Sequence, residues 1–358
     1  MRALKRLLVP VVAGSALLLV ISACSMAGPG RETRSGSART KISSSCDRFA
    51  GPRGRDHGRR RGSRKRPYKT VRRLLRSLRN GKTGCLLTGL YSYRGVARIT
   101  RPGTTLRAAP GARANVHGTI WIMPSATAAR LIGVRLTTED PLFTIPLKVQ
   151  ADNARVAHNL ITGSSSTICV AIGSQRTVQG ASIDHNRIRH CGLAGKFDHL
   201  IYLVNTRGVK VRWNVLTDNP GGWAVHLYPN ADGTLIEHNV MDRNEGGVIF
   251  AGDGGGDTSD GNIVRNNAIT YSSPRWNVEG SWSGGPSGSG NRAYGNCVYT
   301  QGPSHPAGIA EQDGFLATGN TVLRNSPYVA RTRGDFRFRR RSPCQKLVGS
   351  VARRPHRR

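Results

Sequence analysis

Two neighbouring segments of the chain carry histidine, tyrosine and aspartate at spacings that could place them together on one surface. The segments read KFDHLIYLV (196–204) and WAVHLY (223–228). Successive side chains of a β-strand point to opposite sides, so the apolar residues are predicted to point inward and the polar ones outward. We predict six catalytic residues here: Lys196, Asp198, His199, Tyr202, His226 and Tyr228.

These residue types suit the cleavage of an acidic polysaccharide by β-elimination. That reaction requires a cation against the uronate carboxylate and a base for the proton beside it. Lys196 or Arg207 could supply the cation. His226 or Tyr202 could act as the base. Lyase-type chemistry is therefore our first interpretation of this surface.

Glycoside hydrolysis is the alternative reaction, and it requires two carboxylates about 5 to 10 Å apart. Asp198 and Asp253 are the nearest candidates for such a pair. Outward His and Tyr residues also occur on β-sheets without a catalytic role, so a surface that only binds a polymer stays open. Two tryptophans of a later loop could stack on sugar rings or simply cover a sheet. The residues predicted to bind substrate are Arg207, Asp253, Trp276, Glu279 and Trp282.

Three aspartates lie on a glycine-rich loop that reads AGDGGGDTSDGN (251–262). Calcium prefers oxygen ligands on loops of this kind, so Asp253, Asp257 and Asp260 are candidate calcium ligands. The alternative is a plain turn without a metal. The sequence contains no Cys-x-x-Cys or His-rich spacing that would indicate zinc.

The segments that carry these residues belong to a repeat. Its pattern is an apolar residue, two residues, Asn, one residue and a second apolar residue, and the Asn positions are 24 to 29 residues apart. In such a repeat each unit buries its apolar face only by stacking on its neighbours. An earlier, degenerate copy has Val134 in place of Asn. The repeated asparagines are Asn159, Asn186, Asn214, Asn239, Asn267, Asn296 and Asn320.

A second short apolar strand between successive asparagines predicts closed coils of β-strands. Coils of about 25 residues would stack about 4.8 Å apart in parallel sheets. Asn is expected at the sharp corner because it tolerates the left-handed conformation. Stacked copies can hydrogen-bond amide to amide along the axis. The repeated Asn is therefore predicted to be architectural rather than catalytic.

The repeat is clearest in GVKVRWNVLTDNPGGWAVHLYPNADGTLIEHNVMDRNEGGVIFAG (208–252), which resembles the right-handed parallel β-helix proteins of the pectate-lyase-like superfamily (pectin lyase fold). CDRFAGPRGRD (46–56) and the RPYKTVRRLLRSLRNGKTG that follows at 66–84 resemble the entry segment of its bacterial secreted members. The resemblance covers about residues 46 to 344. It implies an all-β right-handed parallel β-helix of roughly ten coils, with a helix at about 70–78 over its open end.

The same resemblance leaves the reaction open. The superfamily includes lyases, hydrolases, epimerases and purely adhesive modules, so the fold does not name an activity. The chain lacks the Asp triad with Gly-His-Gly of polygalacturonases and the Asp-Pro-His-Asp of mannuronan epimerases. Phe197-Asp198-His199 matches only the Asp-His of the W-x-D-H motif of pectate lyases.

The first residues predict export. The chain begins with a basic segment, MRALKRLL, and continues with an apolar run, VPVVAGSALLLV, which is shorter than a membrane-spanning helix. The sequence ISAC then ends at Cys24. Ile-Ser-Ala-Cys resembles the lipobox of bacterial lipoproteins, whose Cys is acylated and becomes the first mature residue. The alternative is ordinary cleavage after Ala27, which would release a soluble protein. Both interpretations place the folded part outside the cytoplasm.

The other six cysteines form an even set, which suits disulfides in an oxidising compartment. Spacing alone does not select one pairing among the fifteen that six cysteines allow. We prefer Cys46 with Cys85, which would attach the basic arm to the first coil, and Cys297 with Cys344, which would attach the tail to a late coil. Elimination then leaves Cys169 with Cys191.

The net charge of +34 is concentrated outside the repeat. Residues 25–115 hold 24 Lys and Arg against 3 acids, and residues 331–358 hold 11 against 1, whereas residues 120–330 hold 16 of each. The basic segments could bind phosphates or acidic glycans, or they could be solvated disordered chain. Because the repeat is neutral, we do not expect a dedicated nucleic-acid-binding protein.

These observations predict an exported monomer that binds or processes extracellular polysaccharide, with calcium as a candidate cofactor. The alternative function is a non-catalytic module that holds an anionic cell-wall polymer at the cell surface. Under either function the lipid anchor would attach the protein to the outer face of the cell membrane. If the protein is not acylated, it would be secreted. The predicted segments are a signal peptide (1–24), a flexible tether (25–45), a basic entry segment with a capping helix (46–84), the β-helix (85–344) and a basic disordered tail (345–358).

Overall fold

The architecture is taken from a computed structural model that describes most of the chain after residue 44. Four predicted features lie outside the described residues: the signal peptide with Cys24, residues 25–44 of the tether, Lys196 and Trp282. The described residues are 45–58, 61–138, 144–163, 168–192, 198–281, 285–300, 308–310 and 314–351.

The chain folds as a right-handed parallel β-helix of about nine turns, which confirms the predicted fold class. Each complete coil contributes one strand to each of three faces. The strand before the ladder Asn belongs to the first face, the strand after it to the second, and the second apolar strand of the repeat to the third. All pairings between coils are parallel in the described residues, and only a C-terminal hairpin is antiparallel.

The first face is a sheet of eleven strands. It begins inside the predicted entry segment rather than at residue 85, because its first strand pairs with the strand that contains Cys85. Its strands are Arg48–Ala50, Thr83–Leu86, Thr105–Ala108, Arg130–Ile132, Arg155–Ala157, Ser182–Asp184, Lys210–Arg212, Leu235–Glu237, Ile263–Arg265, Asn291–Tyr294 and Phe315–Thr318.

The second and third faces are joined by four long strands that run through both. These strands are Gly89–Ile99, Ala114–Ile122, Val215–Leu227 and Val240–Phe250. The second face adds Arg135–Thr137, Leu160–Thr162, Arg187–Arg189, Ala268–Thr270, Cys297–Tyr299 and Thr321–Val322. The third face adds Leu147–Val149, Val170–Ile172, Ile201–Leu203, Val278–Gly280 and Ile309–Ala310. Short strands pair at the corner after the third face: Val178–Gln179, Thr206–Arg207 and Ala231–Asp232.

Helix α1 (Val71–Ser77) covers the first coil, as the resemblance predicts. The Thr70 hydroxyl caps its start by accepting the Arg73 N–H at 3.1 Å. Val71, Leu74 and Leu75 are buried against the coil, which shields the end of the apolar interior from water.

The repeated asparagines form one continuous hydrogen-bonded ladder. The Asn239 side chain donates to Val211 O at 2.8 Å in the preceding coil and to Asn267 Oδ1 at 3.0 Å in the following coil. Its own Oδ1 accepts the Asn214 N–H at 2.9 Å. The same arrangement extends from Asn159 to Asn296, and Val134 forms the first rung by donating its N–H to Asn159 Oδ1. The architectural role predicted for the ladder is confirmed.

The predicted reason for Asn at this corner is wrong. The left-handed residue is the one before each ladder position, while the Asn supplies hydrogen bonds. A positive φ there turns the chain between the first and second faces and points that side chain outward, so that Trp213 stacks on His238 at 4.2 Å between ring centroids. The left-handed residues are Gly133, His158, His185, Trp213, His238, Asn266, Gly295 and Gly319.

The C-terminal segment packs along the outside of the second face. It contains an antiparallel pair of strands (Tyr328–Ala330 and Asp335–Phe338) joined through a 3₁₀ turn (Arg331–Arg333), followed by helix α2 (Pro343–Val348). It covers an apolar stripe that the second face presents outward, and the buried members of this cluster are Val215, Val240, Ala268, Cys297, Tyr328, Phe336, Cys344 and Val348.

This segment changes one predicted boundary. Helix α2 continues past residue 344, and Val348 is fully buried. The His238 side chain also donates from Nδ1 to Val348 O at 3.0 Å. The prediction of disorder is therefore wrong for residues 345–348, and residues 352–358 lie outside the described chain.

All three preferred disulfide pairings are present. Cys46–Cys85, Cys169–Cys191 and Cys297–Cys344 have Cα–Cα distances of 5.7, 5.4 and 5.7 Å. They join the entry strand to the first coil, adjacent coils in the middle of the solenoid, and helix α2 to a late coil. Among the residues that the structure describes, neither helix has the length and apolar character needed to cross a membrane.

The ladder predicts a position-dependent loss of stability. Asn239→Ala leaves the buried Asn214 N–H and Val211 carbonyl without these partners, so we expect the free energy of unfolding to fall by about 3 kcal/mol. Asn320→Ala, at the partly exposed last rung, is the matched control and should cost less. Urea unfolding with disulfides intact measures both. Equal losses at the two rungs would contradict the argument.

Candidate functional site

One outward position on the third face forms a column along the axis, with one side chain from each coil. Strand register fixes its order, because directly paired residues stack on one another. The column contains six charged or aromatic residues, interrupted by two alanines and one isoleucine. We call it the third-face column: Arg98, Trp121, Lys148, Ala171, Tyr202, His226, Ile249, Glu279 and Ala310.

Two predicted catalytic histidines meet at its centre. His226 Nδ1 and His199 Nε2 are 2.7 Å apart, and the two rings are perpendicular with centroids 4.3 Å apart. Only 2 % of His199 and 3 % of His226 is exposed, so this hydrogen bond is buried. Since one nitrogen must donate and the other accept, a neutral pair satisfies the contact.

Burial keeps both imidazoles neutral. It lowers the pKa of His199 to about 3 and, together with the neighbouring His199, lowers the pKa of His226 well below its usual range. The outer nitrogens, His199 Nδ1 and His226 Nε2, are buried without a hydrogen-bond partner among the described residues. An unsatisfied buried nitrogen is costly, which makes this pair a candidate for function rather than stability.

The two predicted tyrosines surround the pair and are half-buried. Tyr202 lies 5.4 Å from His226 and 5.7 Å from His199 between ring centroids, and Tyr228 lies 5.5 Å from His226. Burial, assisted by Tyr228, raises the pKa of Tyr202 to about 12. At neutral pH the Tyr202 hydroxyl is therefore a hydrogen-bond donor and a poor base. The tyrosines, and not the histidines, are placed to contact a polymer.

Local backbone features position this cluster. The Cys169 N–H donates to His199 O at 3.0 Å, next to the Cys169–Cys191 disulfide, so the cross-link restrains the strand at His199. A Cβ on Gly222 would lie 2.2 Å from Asp198 O and 2.8 Å from His199 Nδ1. Only glycine fits at residue 222 without displacing the histidine.

A buried ion pair supports the neighbouring part of the column. Glu279 accepts a hydrogen bond from the Trp223 indole Nε1 at 2.5 Å and pairs with the Arg275 guanidinium. Burial raises the pKa of Glu279, while Trp223 and Arg275 oppose that rise. Glu279 is 1 % exposed. The contacts of Glu279 therefore hold the Trp223 ring over the sheet. They leave the Glu279 carboxylate little access to a substrate.

The structure does not bring the proposed hydrolytic carboxylates into one surface site. Asp198 is 4 % exposed, and its backbone carbonyl accepts from Asn219 Nδ2 at 2.6 Å. Asp253 folds onto its own loop, where its carboxylate accepts the N–H groups of Gly255 and Asp257 at 2.9 and 3.0 Å. A pair of carboxylates facing a sugar from this surface is therefore unsupported.

Two other predicted binding residues also lie away from the column. Arg207 is on the short strand Thr206–Arg207 at the next corner, 3.6 Å from the Asp232 carboxylate. Trp276 is half-buried on the loop before Val278–Gly280, where its carbonyl accepts the Gly247 N–H at 2.9 Å.

The prediction of a calcium site is not supported. The Asp260 carboxylate accepts from the Thr258 hydroxyl at 2.6 Å and from the backbone and hydroxyl of Ser289, and Asp253 is occupied as described above. In the described ranges, no three His, Cys, Asp or Glu side chains converge as metal ligands would. The loop is built as a hydrogen-bonded turn.

Sequence reasoning missed the other half of the column. Trp121 lies between two cations, with Arg98 5.8 Å and Lys148 5.6 Å from its ring centroid. Its Nε1 donates to Gln150 Oε1 at 2.9 Å. The alternation in ANVHGTIWI, with Ile120 inside and Trp121 outside, carries the signal. It was missed because these coils precede the first ladder Asn.

Comparisons with known proteins agree on the fold. Residues 145–269 match the family model described as "Right handed beta helix region". A comparison with curated proteins found no significant match. Similar solved structures include pectate lyase Pel9A, at 11 % identity over 83 % of this chain and 90 % of that one, with a TM-score of 0.54. An alginate lyase from Paenibacillus sp. str. FPU-7 matches at 15 % identity over 70 % and 93 %, with a TM-score of 0.48.

Another similar structure is XylC, determined with xylose, at 10 % identity over 71 % of this chain and 69 % of that one, with a TM-score of 0.49. Identities this low carry no information about chemistry. The likeness to pectate lyase Pel9A shows that the two chains have the same parallel β-helix fold, which confirms that part of the resemblance seen in the sequence.

The buried histidines predict a pH dependence of stability. A histidine in the unfolded chain titrates near pH 6.5. Between about pH 7 and 5 the unfolded chain therefore binds protons, whereas the buried pair of the folded chain does not. The unfolding free energy should therefore fall on acidification through this range. His226→Gln should flatten the slope, and exposed His57→Gln should not. Urea titrations at several pH values measure it, and identical slopes for wild type and His226→Gln would refute the assignment.

Proposed function

We propose that this chain binds an acidic extracellular polysaccharide along the third-face column. The observation that carries the proposal is Trp121 held between Arg98 and Lys148 on the same column as Tyr202. An aromatic ring offers an apolar contact for a sugar, and the two cations suit its carboxylates. This combination of side chains suits an anionic glycan, whose sugar rings would contact the indole and whose carboxylates would contact the cations.

The solenoid geometry favours a polymer over a small ligand. Neighbouring coils are about 4.8 Å apart, which is close to the length of one sugar unit, so a chain lying along the axis meets one column residue per unit. The column residue between Lys148 and Tyr202 is Ala171. Its small side chain leaves room for the polysaccharide to approach the sheet.

The fold is consistent with this proposal. Pectate lyase Pel9A, a similar structure with a TM-score of 0.54, is by its name a pectate lyase. The likeness contributes the fold alone, and the residues of the column carry the chemistry. The basic start and apolar run of the first 24 residues support export as part of the proposal, and acylation of Cys24 would keep the binding surface outside the cell.

Lyase-type cleavage is the second candidate function, and one observation favours it. Among the described residues His226 Nε2 is buried without a hydrogen-bond partner beside the Tyr202 ring, so this nitrogen could contact a substrate group. The lowered pKa of His226 makes the imidazole a weak base. Its 3 % exposure opposes direct contact with a polymer. We therefore propose binding as the primary function and treat cleavage as an outcome that the same experiment decides.

The test is a panel of acidic and neutral polysaccharides studied by calorimetry. Trp121→Ala and Lys148→Ala should each weaken binding of acidic polymers by about tenfold, because each removes one stacking or charged contact. Lys210→Ala, on the exposed first face, and Trp213→Ala, in the corner stack, are matched controls and should bind normally. Equal losses in the controls, or no acidic ligand at all, would refute the proposal.

The same mixtures are assayed for unsaturated uronate absorbance and for new reducing ends. Binding without either product supports a binding module. Product release by wild type that is abolished in both His226→Ala and Tyr202→Phe would establish the lyase candidate instead. Folding of these two variants is checked by their circular dichroism and unfolding midpoints.

A further inference from the structure

The positive charge of the folded chain is concentrated at one end of the solenoid. We call the described residues 45–58 and 61–82 the basic end. They contain 13 Lys and Arg residues and two Asp. The strand Arg48–Ala50 is the outermost of the first face, and helix α1 closes the interior beside it. This end is therefore a cationic cap on a rod whose residues 120–330 hold equal numbers of cationic and acidic side chains.

The two acids of the basic end are engaged inside it. The Asp56 carboxylate accepts the N–H groups of Lys69 and Thr70 and the Thr70 hydroxyl, at 2.8, 3.0 and 2.6 Å. Asp47 accepts the Thr83 N–H at 2.8 Å and pairs with Lys82 at 3.1 Å. Neither reduces the field of the exposed cations substantially, since two charges face thirteen.

The exposed cations point away from the coil. Helix α1 buries Val71, Leu74 and Leu75, so its arginines lie on the outer side or the rim. Two shallow depressions open there. Arg48, Arg79 and Lys82 line the first together with Asp47, which pairs with Lys82. Arg48, Arg61 and Arg73 line the second. Depressions lined by guanidinium groups suit phosphate oxygens.

The chain reaches the solenoid at this same end. Cys46, joined to Cys85, fixes the entry point within the basic end. The apolar run VPVVAGSALLLV (9–20) and Cys24 lie upstream. The twenty residues between Cys24 and Ser45 span at most about 70 Å. Membrane attachment at Cys24 would therefore tether the solenoid through its basic end.

We propose that the basic end is a contact surface for anionic phospholipid headgroups. It would hold the solenoid end-on against the membrane and leave the third-face column accessible along its length. Attraction of this kind acts within about a Debye length, and each Lys or Arg near an anionic surface strengthens it. The inference does not depend on the proposed glycan function, because the two surfaces share no residue.

Vesicle sedimentation tests the proposal with the chain from residue 24 carrying Cys24→Ser, so that neither the apolar run at 9–20 nor an acyl chain contributes. The probes are phosphatidylcholine vesicles with and without phosphatidylglycerol. We expect binding only when phosphatidylglycerol is present, with a steep loss as salt is raised. Lys69→Gln, Arg76→Gln and Arg79→Gln together should weaken binding roughly a hundredfold, as each cation contributes about a factor of five.

The matched control removes the same charge elsewhere. Arg333→Gln, Arg340→Gln and Lys346→Gln together alter exposed residues of the C-terminal segment and should leave vesicle affinity within a few-fold of wild type. Equal losses of vesicle affinity in the two triple variants would overturn the proposal. Binding would then depend on the net charge of the protein and not on the position of its cations. Equal binding to both vesicle types would also overturn the proposal.

Soluble acidic polymers separate the membrane from a cell-wall ligand. If polyphosphate or polygalacturonate binds and the basic-end triple variant abolishes that binding, while phosphatidylglycerol vesicles are not bound, the basic end serves a wall polymer and the membrane proposal is wrong. Thermal unfolding of both triple variants should match wild type, because none of the six side chains is buried.

Discussion

The hydrogen bonds of the Asn ladder are the constraint on which the rest of the structure depends. A coil of three short strands turns sharply between its first and second faces, and the turn leaves backbone groups that the strand pairing cannot satisfy. One amide per coil satisfies them, as Asn239 does for Val211 O and the Asn214 N–H. Because each amide also reaches its neighbour, the coils are held in register. That register aligns the third-face column.

The column follows from this alignment and from strand alternation. Once coils are in register, an outward position becomes a straight line of side chains, and its character depends only on which residues occupy it. At one part of the line Trp121 lies between Arg98 and Lys148, which suits an anionic polymer. Further along, burial under Trp223 keeps His226 neutral, so the two halves of the column have different chemistry.

The sequence predicted the fold well because the ladder signal is periodic and local. It predicted the His226 and Tyr202 neighbourhood for the same reason. It did not predict that His226 is buried, because this depends on an irregular pairing between Asn219 and Trp223 and on the Glu279 contact two coils away. The left-handed corner residue was assigned wrongly because periodicity marks the corner without showing which residue has a positive φ.

The central claim is that an acidic polymer lies along the axis, one sugar per coil, and affinity as a function of chain length tests it most directly. Calorimetry with length-defined oligouronates should show affinity rising with each unit until the oligomer spans the four steps from Arg98 to Tyr202, about 19 Å, and then levelling off. Affinity that is already complete with two sugars, or that is independent of length, would contradict a binding site running along the column.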